Sequence, residues 1–261
     1  MQFGIVTGPI LNIRTYPDHR AEMRNQILFG EIFNITEYLG KWIKIETFPD
    51  NFQGWIAKDS LFRILSEKNR LQLEDGNIHI LRHLRKIKPT SPEYGFWIFP
   101  GSTLFQFNPR TQKFTLGTER LTLEKPCPEN SDKNIRTQIS ETALSFLNAP
   151  HLWGGCSLFG IDSSGLIQVV FKINGVSLPR PVIRQAVSGQ PVNFLEEAQT
   201  GDLAFFDNAY GDIDHVGILT GQGTIVHVSG KVKIDPIDNQ GIPGPIAGSY
   251  SHKLRIIKSF L

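Results

Sequence analysis

From Gly4 to about Arg63, apolar and polar positions alternate in short runs: Val6 to Ile13, Ile32 to Glu37, Trp42 to Thr47 and Gly54 to Ala57. Gly40 and the Pro49-Asp50-Asn51 cluster separate them. Period-two alternation punctuated by turn residues predicts strands, and strands this short predict a small β-barrel over residues 1–64. From Leu65 to Pro128 the pattern repeats with Ile78 to Leu84, Gly95 to Phe99, Leu104 to Phe107 and Lys113 to Leu116. A second barrel is expected over residues 65–130. The stretch Pro126 to Lys133 has the composition of a linker that closes it.

Beyond the linker the periodicity changes. Thr137 to Leu147 carries Ile139, Ala143, Leu144 and Leu147 at helical spacing, and a second helical pattern starts at Asp162-Ser163. It keeps Leu166, Val169, Val170 and Ile173 on one face until Asn174-Gly175 stops it. Strands are expected at Asp202 to Phe206, His215 to Thr220 and Thr224 to Val228. Helices followed by antiparallel strands make residues 131–261 an α+β domain.

Composition narrows the classes of function. The chain has 261 residues, a formal charge of +2 and 20% charged residues of both signs, so no strong field for nucleic acid or anionic membrane is present. The one dense basic run, Arg82 to Lys88 with Pro89 behind it, reads as a solvated strand or turn. Residues Met1 to Ile10 lack the pattern of a secretion signal, and no apolar run approaches the roughly 18 residues of a membrane helix. Two cysteines, Cys127 and Cys156, are too few for a disulfide framework or a four-thiolate zinc site. A cytoplasmic protein without metal is the expectation.

The chemistry concentrates in two places. Glycines crowd Leu152-Trp153-Gly154-Gly155 and Gly160-Ile161-Asp162-Ser163-Ser164-Gly165 just before the second helix, which puts Ser163 at a helix N-terminus. Unpaired N–H groups and partial positive charge gather there, lowering the pKa of a thiol and offering donors to an oxyanion. Downstream, Asp214-His215-Val216-Gly217 and Val226-His227-Val228-Ser229-Gly230 place two histidines on adjacent strands, as a base and the residue that orients it require. A lone serine at a helix start is usually a cap, and a lone strand histidine is usually structural. Their order, spacing and flanking residues together point to catalysis.

These motifs closely resemble the NlpC/P60 family of cell-wall peptidases, from about Glu141 to Ile256. The resemblance implies a papain-like domain, with Ser163 at the nucleophilic cysteine, His215 as general base and His227 as the orienting residue. Asp162 and Ser164 flank the nucleophile as they do in the family, and Cys156 does not occupy the nucleophile position. The first 60 residues are similar to the bacterial SH3 domain (SH3b), through an Asn-Ile-Arg strand, a Lys-Trp-Ile-Lys-Ile strand and a closing Gly-Trp-Ile. Two N-terminal SH3b-like barrels before such a domain resemble the γ-D-glutamyl-L-diamino acid endopeptidases of murein peptide recycling. That resemblance implies a murein tripeptide or tetrapeptide substrate with a free N-terminal L-Ala, cut after γ-D-Glu, with no cofactor. It implies substrate contacts at Asp162, Ser164, Trp153 and Glu22, where Glu22 or Asp162 would hold the ammonium. Two departures touch those contacts: Asp50-Asn51-Phe52-Gln53-Gly54-Trp55 replaces Asp-Gly-Tyr-Glu-Gly-Trp, and Pro179-Arg180-Pro181 replaces Pro-Arg-Asp. A monomer without nucleic-acid or membrane partners is expected.

Serine changes the outlook for turnover. A thiol is driven to the thiolate by a helix terminus and a histidine, whereas a hydroxyl is not. With the rest of the motif intact, Ser163 reads as a replacement of a native cysteine that leaves a substrate-trapping chain. The rival is a natural pseudoenzyme that binds murein peptides without cutting them.

Overall fold

A computed structural model of the chain describes residues 2–88, 95–127, 133–221, 223–246 and 248–261. Pro89 and most of the linker expected at Pro126 to Lys133 lie outside the described residues. The chain forms two units, Met1–Asn130 and Ser131–Leu261.

In the first unit, seven antiparallel strands run β1 (Gln2–Val6), β2 (Ile10–Arg14), β3 (Met23–Leu28), β4 (Ile32–Leu39), β5 (Trp42–Thr47), β6 (Gln53–Ala57) and β7 (Phe62–Leu65). Alternation decides what each buries: on β5, Ile43, Ile45 and Thr47 point inward while Trp42, Lys44 and Glu46 are half-exposed. The sheet order is β3-β2-β6-β5-β4-β1-β7, an open path with β3 and β7 at its ends. This corrects the expected closed barrel. A barrel strand turns one face inward and the other out, but β1 is buried on both. Val6 joins Ile13, Phe33, Ile45 and Ile56 in one core. Phe3 and Ile5 join Phe29, Leu104, Phe105 and Phe114 in a second.

That second core belongs to α1 (Glu67–Glu74), β8 (Ile78–Ile80), β9 (Arg85–Lys86), β10 (Trp97–Ile98), β11 (Thr103–Asn108), β12 (Lys113–Leu116) and β13 (Glu119–Thr122). Here too the sheets are open: a four-stranded path β13-β12-β11-β8 and a β9-β10 pair. The second expected barrel is therefore also corrected. Its apolar surface is completed by Phe3, Ile5 and Phe29 from the first 64 residues rather than by closing on itself. Helix α1, capped by Ser66 Oγ accepting from the Asn69 amide at 3.2 Å, buries only Leu73 and has no strong apolar stripe to betray it in the sequence.

The second unit runs α2 (Ile135–Leu144), β14 (Cys156–Ser157), β15 (Gly160–Ile161), α3 (Ser163–Ile173), α4 (Val182–Val187) and β16 (Gln190–Val192). It continues with β17 (Leu203–Asp207), β18 (Ile213–Gly221), β19 (Thr224–Ser229), β20 (Lys231–Pro236), β21 (Gly241–Pro243) and β22 (Tyr250–Ser259). The sheet order is β16-β22-β17-β18-β19-β20, with β21 on β22. Nine of the eleven residues of α3 are buried, as a helix apolar on most of its circumference must be. It packs against α2, β18 and β19. Helix α2 is tied to the start of β17 by Arg136 Nη1, 2.8 Å from the buried Asp202 Oδ1. The molecule is thus a mostly-β α+β protein. No helix among the described residues is long and apolar enough to cross a membrane.

Candidate active site

Ser163 is the first residue of α3 and is buried. Its surroundings are built by Asp162, which caps the helix: Oδ1 accepts from the Gly165 amide at 2.7 Å and from Ser164 Oγ at 3.3 Å. The other oxygen, Oδ2, accepts from the Gly154 amide at 2.8 Å and from Arg180 Nη2 at 2.7 Å. Arg180, itself buried, also donates from Nη1 to Ser164 Oγ at 2.6 Å. A carboxylate has about four lone-pair sites, and four donors of this same domain fill them. These contacts make Asp162 a fastener of the loop. The Ser164 hydroxyl is held between Asp162 and Arg180.

The glycines explain how the loop fits. A Cβ on Gly165 would lie 2.3 Å from the Gly155 carbonyl oxygen, and one on Gly155 would lie 2.4 Å from the Gly160 oxygen. Two backbone segments meet there at a distance that only glycine permits. Trp153, on the outer turn of this loop, is 60% exposed. Cys156 is a buried strand residue.

The second half of the site lies on the sheet. His215 of β18 and His227 of β19 are buried, and His215 Nε2 lies 3.0 Å from His227 Nδ1. Since α3 packs against both strands, the helix that begins at Ser163 rests on the strands that carry both histidines. His227 Nε2 lies 2.9 Å from Asp235 Oδ2 on β20, and Lys233 Nζ reaches the same oxygen at 2.8 Å. The ring of His252, on β22, packs on His215 with centroids 4.1 Å apart and planes tilted by 31°.

Burial dominates the electrostatics here. It pushes His215 well below the ordinary histidine range, and the positive character of His252, His227, His151 and Lys233 adds to the effect. Burial also lowers His227, against the opposing pull of Asp235. His252 falls to about 4, first through burial and then through His227 and Lys233. All three imidazoles are neutral at pH 7, the state in which a base can accept a proton.

Neutral imidazoles are also metal ligands, and one nitrogen from each of His215, His227 and His252 lies within 4.8 Å of the others. Two of the three rings are already joined by the 3.0 Å hydrogen bond between His215 Nε2 and His227 Nδ1. The cluster is arranged as tilted, edge-on and hydrogen-bonded rings.

Glu22 is an exposed residue of the other unit, between β2 and β3, where its carbonyl accepts from the Thr15 amide at 3.0 Å. Sequence reading missed Arg180, Asp235, Lys233 and His252. The Pro179-Arg180 pair was visible only as half of an altered motif, and His252 sits in an alternating run that carries no motif.

A capped helix that begins at Ser163, laid on strands with a hydrogen-bonded histidine pair, is the arrangement expected of the papain-like class. Known proteins agree. The NlpC/P60 family matches residues 148–246, and the bacterial dipeptidyl-peptidase SH3 domain matches residues 13–61. The gamma-D-glutamyl-L-lysine dipeptidyl-peptidase of Bacillus subtilis is 30% identical over 78% of this chain and 72% of its own length. Dipeptidyl-peptidase 6 of Lysinibacillus sphaericus is 28% identical over 90% of this chain and 92% of its own. A crystal structure of an NlpC/P60 protein from Bacillus cereus superposes with a TM-score of 0.81 over 99% of both chains, at 18% identity, and so shares the fold. The chain belongs to the NlpC/P60 family of cysteine peptidases and carries an N-terminal bacterial SH3 domain.

Proposed function

We propose that this chain has the machinery of a γ-D-glutamyl-L-diamino acid endopeptidase for free murein tripeptides and tetrapeptides in the cytoplasm, with Ser163 in the nucleophile position holding turnover near zero. The observation that carries the reading is the neutral His215–His227 pair, joined at 3.0 Å on the strands that support the helix of Ser163. With a thiol at residue 163, His215 takes the thiol proton, and the thiolate attacks the carbonyl of the γ-D-Glu amide. The proton then passes to the departing amine of the diamino acid. Water, giving a proton to His215, hydrolyses the thioester to free the dipeptide, while that proton returns to the thiolate. Donors at the start of α3 face the oxyanion that forms.

With serine, the same steps require proton removal in step with attack, in a site shaped for the longer C–S bond. Peptide is bound and not released as products. Support for the substrate class comes from relatives named for γ-D-glutamyl-L-lysine and dipeptidyl cleavage, which this chain covers over most of their length.

The deciding experiment is Ser163→Cys assayed for release of L-Ala-γ-D-Glu from a murein tripeptide at neutral pH. Dipeptide is expected from the cysteine form, with a rate at least about 10³-fold above the serine form, in line with the loss of a triad nucleophile. Absence of dipeptide from a folded cysteine form overturns the reading.

A further inference from the structure

A hydrogen bond between two neutral imidazoles has a direction, because each ring carries one N–H and one lone pair. The direction is fixed by whichever neighbour can play only one role. Burial raises the Asp235 carboxyl, but the Lys233 ammonium and His227 outweigh it and hold the group below the ordinary carboxylate range. An ionised carboxylate only accepts. His227 Nε2, 2.9 Å from Asp235 Oδ2, therefore carries the proton and donates it. His227 Nδ1 is then a lone pair, so His215 Nε2, 3.0 Å away, must be the donor between the rings. What remains is His215 Nδ1, left without a proton.

We propose that Asp235 is a positioning residue of the site: acting through His227, it fixes His215 in the tautomer protonated at Nε2 and leaves Nδ1 as the proton-accepting atom. This rests on the reading of His215 as the general base. The strand register builds the arrangement. His227 lies opposite Lys233 in the β19–β20 ladder, and Asp235, two residues on, shares the face of Lys233. Lys233 Nζ, on the same carboxylate oxygen at 2.8 Å, holds Asp235 in place.

The alternative state is equally definite. Without Asp235, the charges left on that strand face are Lys231, held by Asn148 Oδ1 at 2.7 Å, and Lys233, which pairs with His227 in the ladder, and an ammonium only donates. His227 Nε2 then becomes an acceptor, His227 Nδ1 donates to His215 Nε2, and the proton of His215 moves to Nδ1. A base whose accepting nitrogen already carries a proton cannot start the reaction.

Long-range proton–nitrogen correlation spectra of the full chain, labelled with nitrogen-15 histidine at neutral pH, read the tautomers directly. Protonated Nε2 and bare Nδ1 are expected in both His215 and His227. Asp235→Ala is expected to invert both rings and Asp235→Glu to restore them. A bare Nε2 on His227 in the unaltered chain overturns the proposal without any variant having to fold, and so does an Asp235→Ala chain with both tautomers unchanged. In the Ser163→Cys form, adding Asp235→Ala is expected to lower kcat for the murein tripeptide with KM unchanged. The loss should lie between about tenfold and the roughly 10⁴-fold that a wrong tautomer costs a serine triad; an unchanged kcat overturns the positioning role. If Ser163→Cys cuts no peptide at all, the functional reading falls while the tautomer spectra still decide the role of Asp235.

Discussion

The two halves of the site are held by different physics. The nucleophile half is contained in one stretch, residues 154–180, where backbone amides, a buried ion pair and close-packed glycines converge on Asp162. The histidine half is assembled from β18, β19, β20 and β22, which bring His215, His227, Asp235 and His252 together by strand register. The first half is a frame in which four donors meet the Asp162 carboxylate. The second is a set of rings whose protonation is set by burial and by neighbouring charge. On the proposed function, close packing falls where attack would occur, and electrostatic adjustment where the proton would go.

If that contrast is right, the largest loss of stability comes from the frame. Arg180→Ala leaves the buried Asp162 carboxylate without its cation, and removal of one partner from a buried pair costs about 3–5 kcal/mol. Denaturant unfolding should show that loss, and the double variant with Asp162→Ala should cost clearly less than the sum of the single changes. Next comes Gly165→Ala. Its methyl group would press on the Gly155 carbonyl at 2.3 Å, and forcing atoms into a close-packed site costs about 1–3 kcal/mol. Near-zero values for either would show that the frame yields, and the contrast would fail.

The same contrast explains what could be read from the chain alone. The loop, the helix from Ser163 and its cap were legible because their determinants are neighbours in sequence: glycines, an Asp before the helix, and apolar residues at helical spacing up to Asn174 and Gly175. The pairing of His215 with His227 was legible because the two strands are consecutive. Asp235 and His252 were not, since their contacts depend on the register of β20 against β19 and on the return of β22 beside β17. The partner of Asp162 was hidden for a related reason. Only the fold reveals Arg180, on a segment eighteen residues away, bound to one of its oxygens. The barrels were overdrawn because alternation reports strands and not closure, and β1 serves two cores at once.

A smaller effect belongs to the histidine half and depends on pH. His252 is neutral in the fold down to about pH 4, against an unfolded value of 6.5. Between those values the unfolded chain binds the extra proton, so stability falls as pH drops from 6.5 towards 4. After allowance for the partial exposure of the ring, its share is about 1–2 kcal/mol. His252→Phe keeps a ring on His215 and removes the titration. Unfolding midpoints of this variant should decline less between pH 6.5 and 4.5 than those of the unaltered chain, and equal declines would remove His252 from the account.

The smallest expected effect is the most selective. Lys233 and Asp235 form a partly exposed ion pair, and such pairs contribute about 0–1 kcal/mol, so Lys233→Met should scarcely move the unfolding midpoint. The ammonium nevertheless depresses the proton affinity of His215, His227 and His252 together. Its removal should therefore raise the titration midpoints of all three rings, read by histidine nitrogen shifts, while the frame around Asp162 stays unchanged. A variant that shifts the rings without loss of stability would show that the charge on β20 adjusts the histidine half and leaves the frame untouched. If the midpoints instead stay fixed, burial alone holds these rings neutral, and the sheet contributes geometry without electrostatic adjustment.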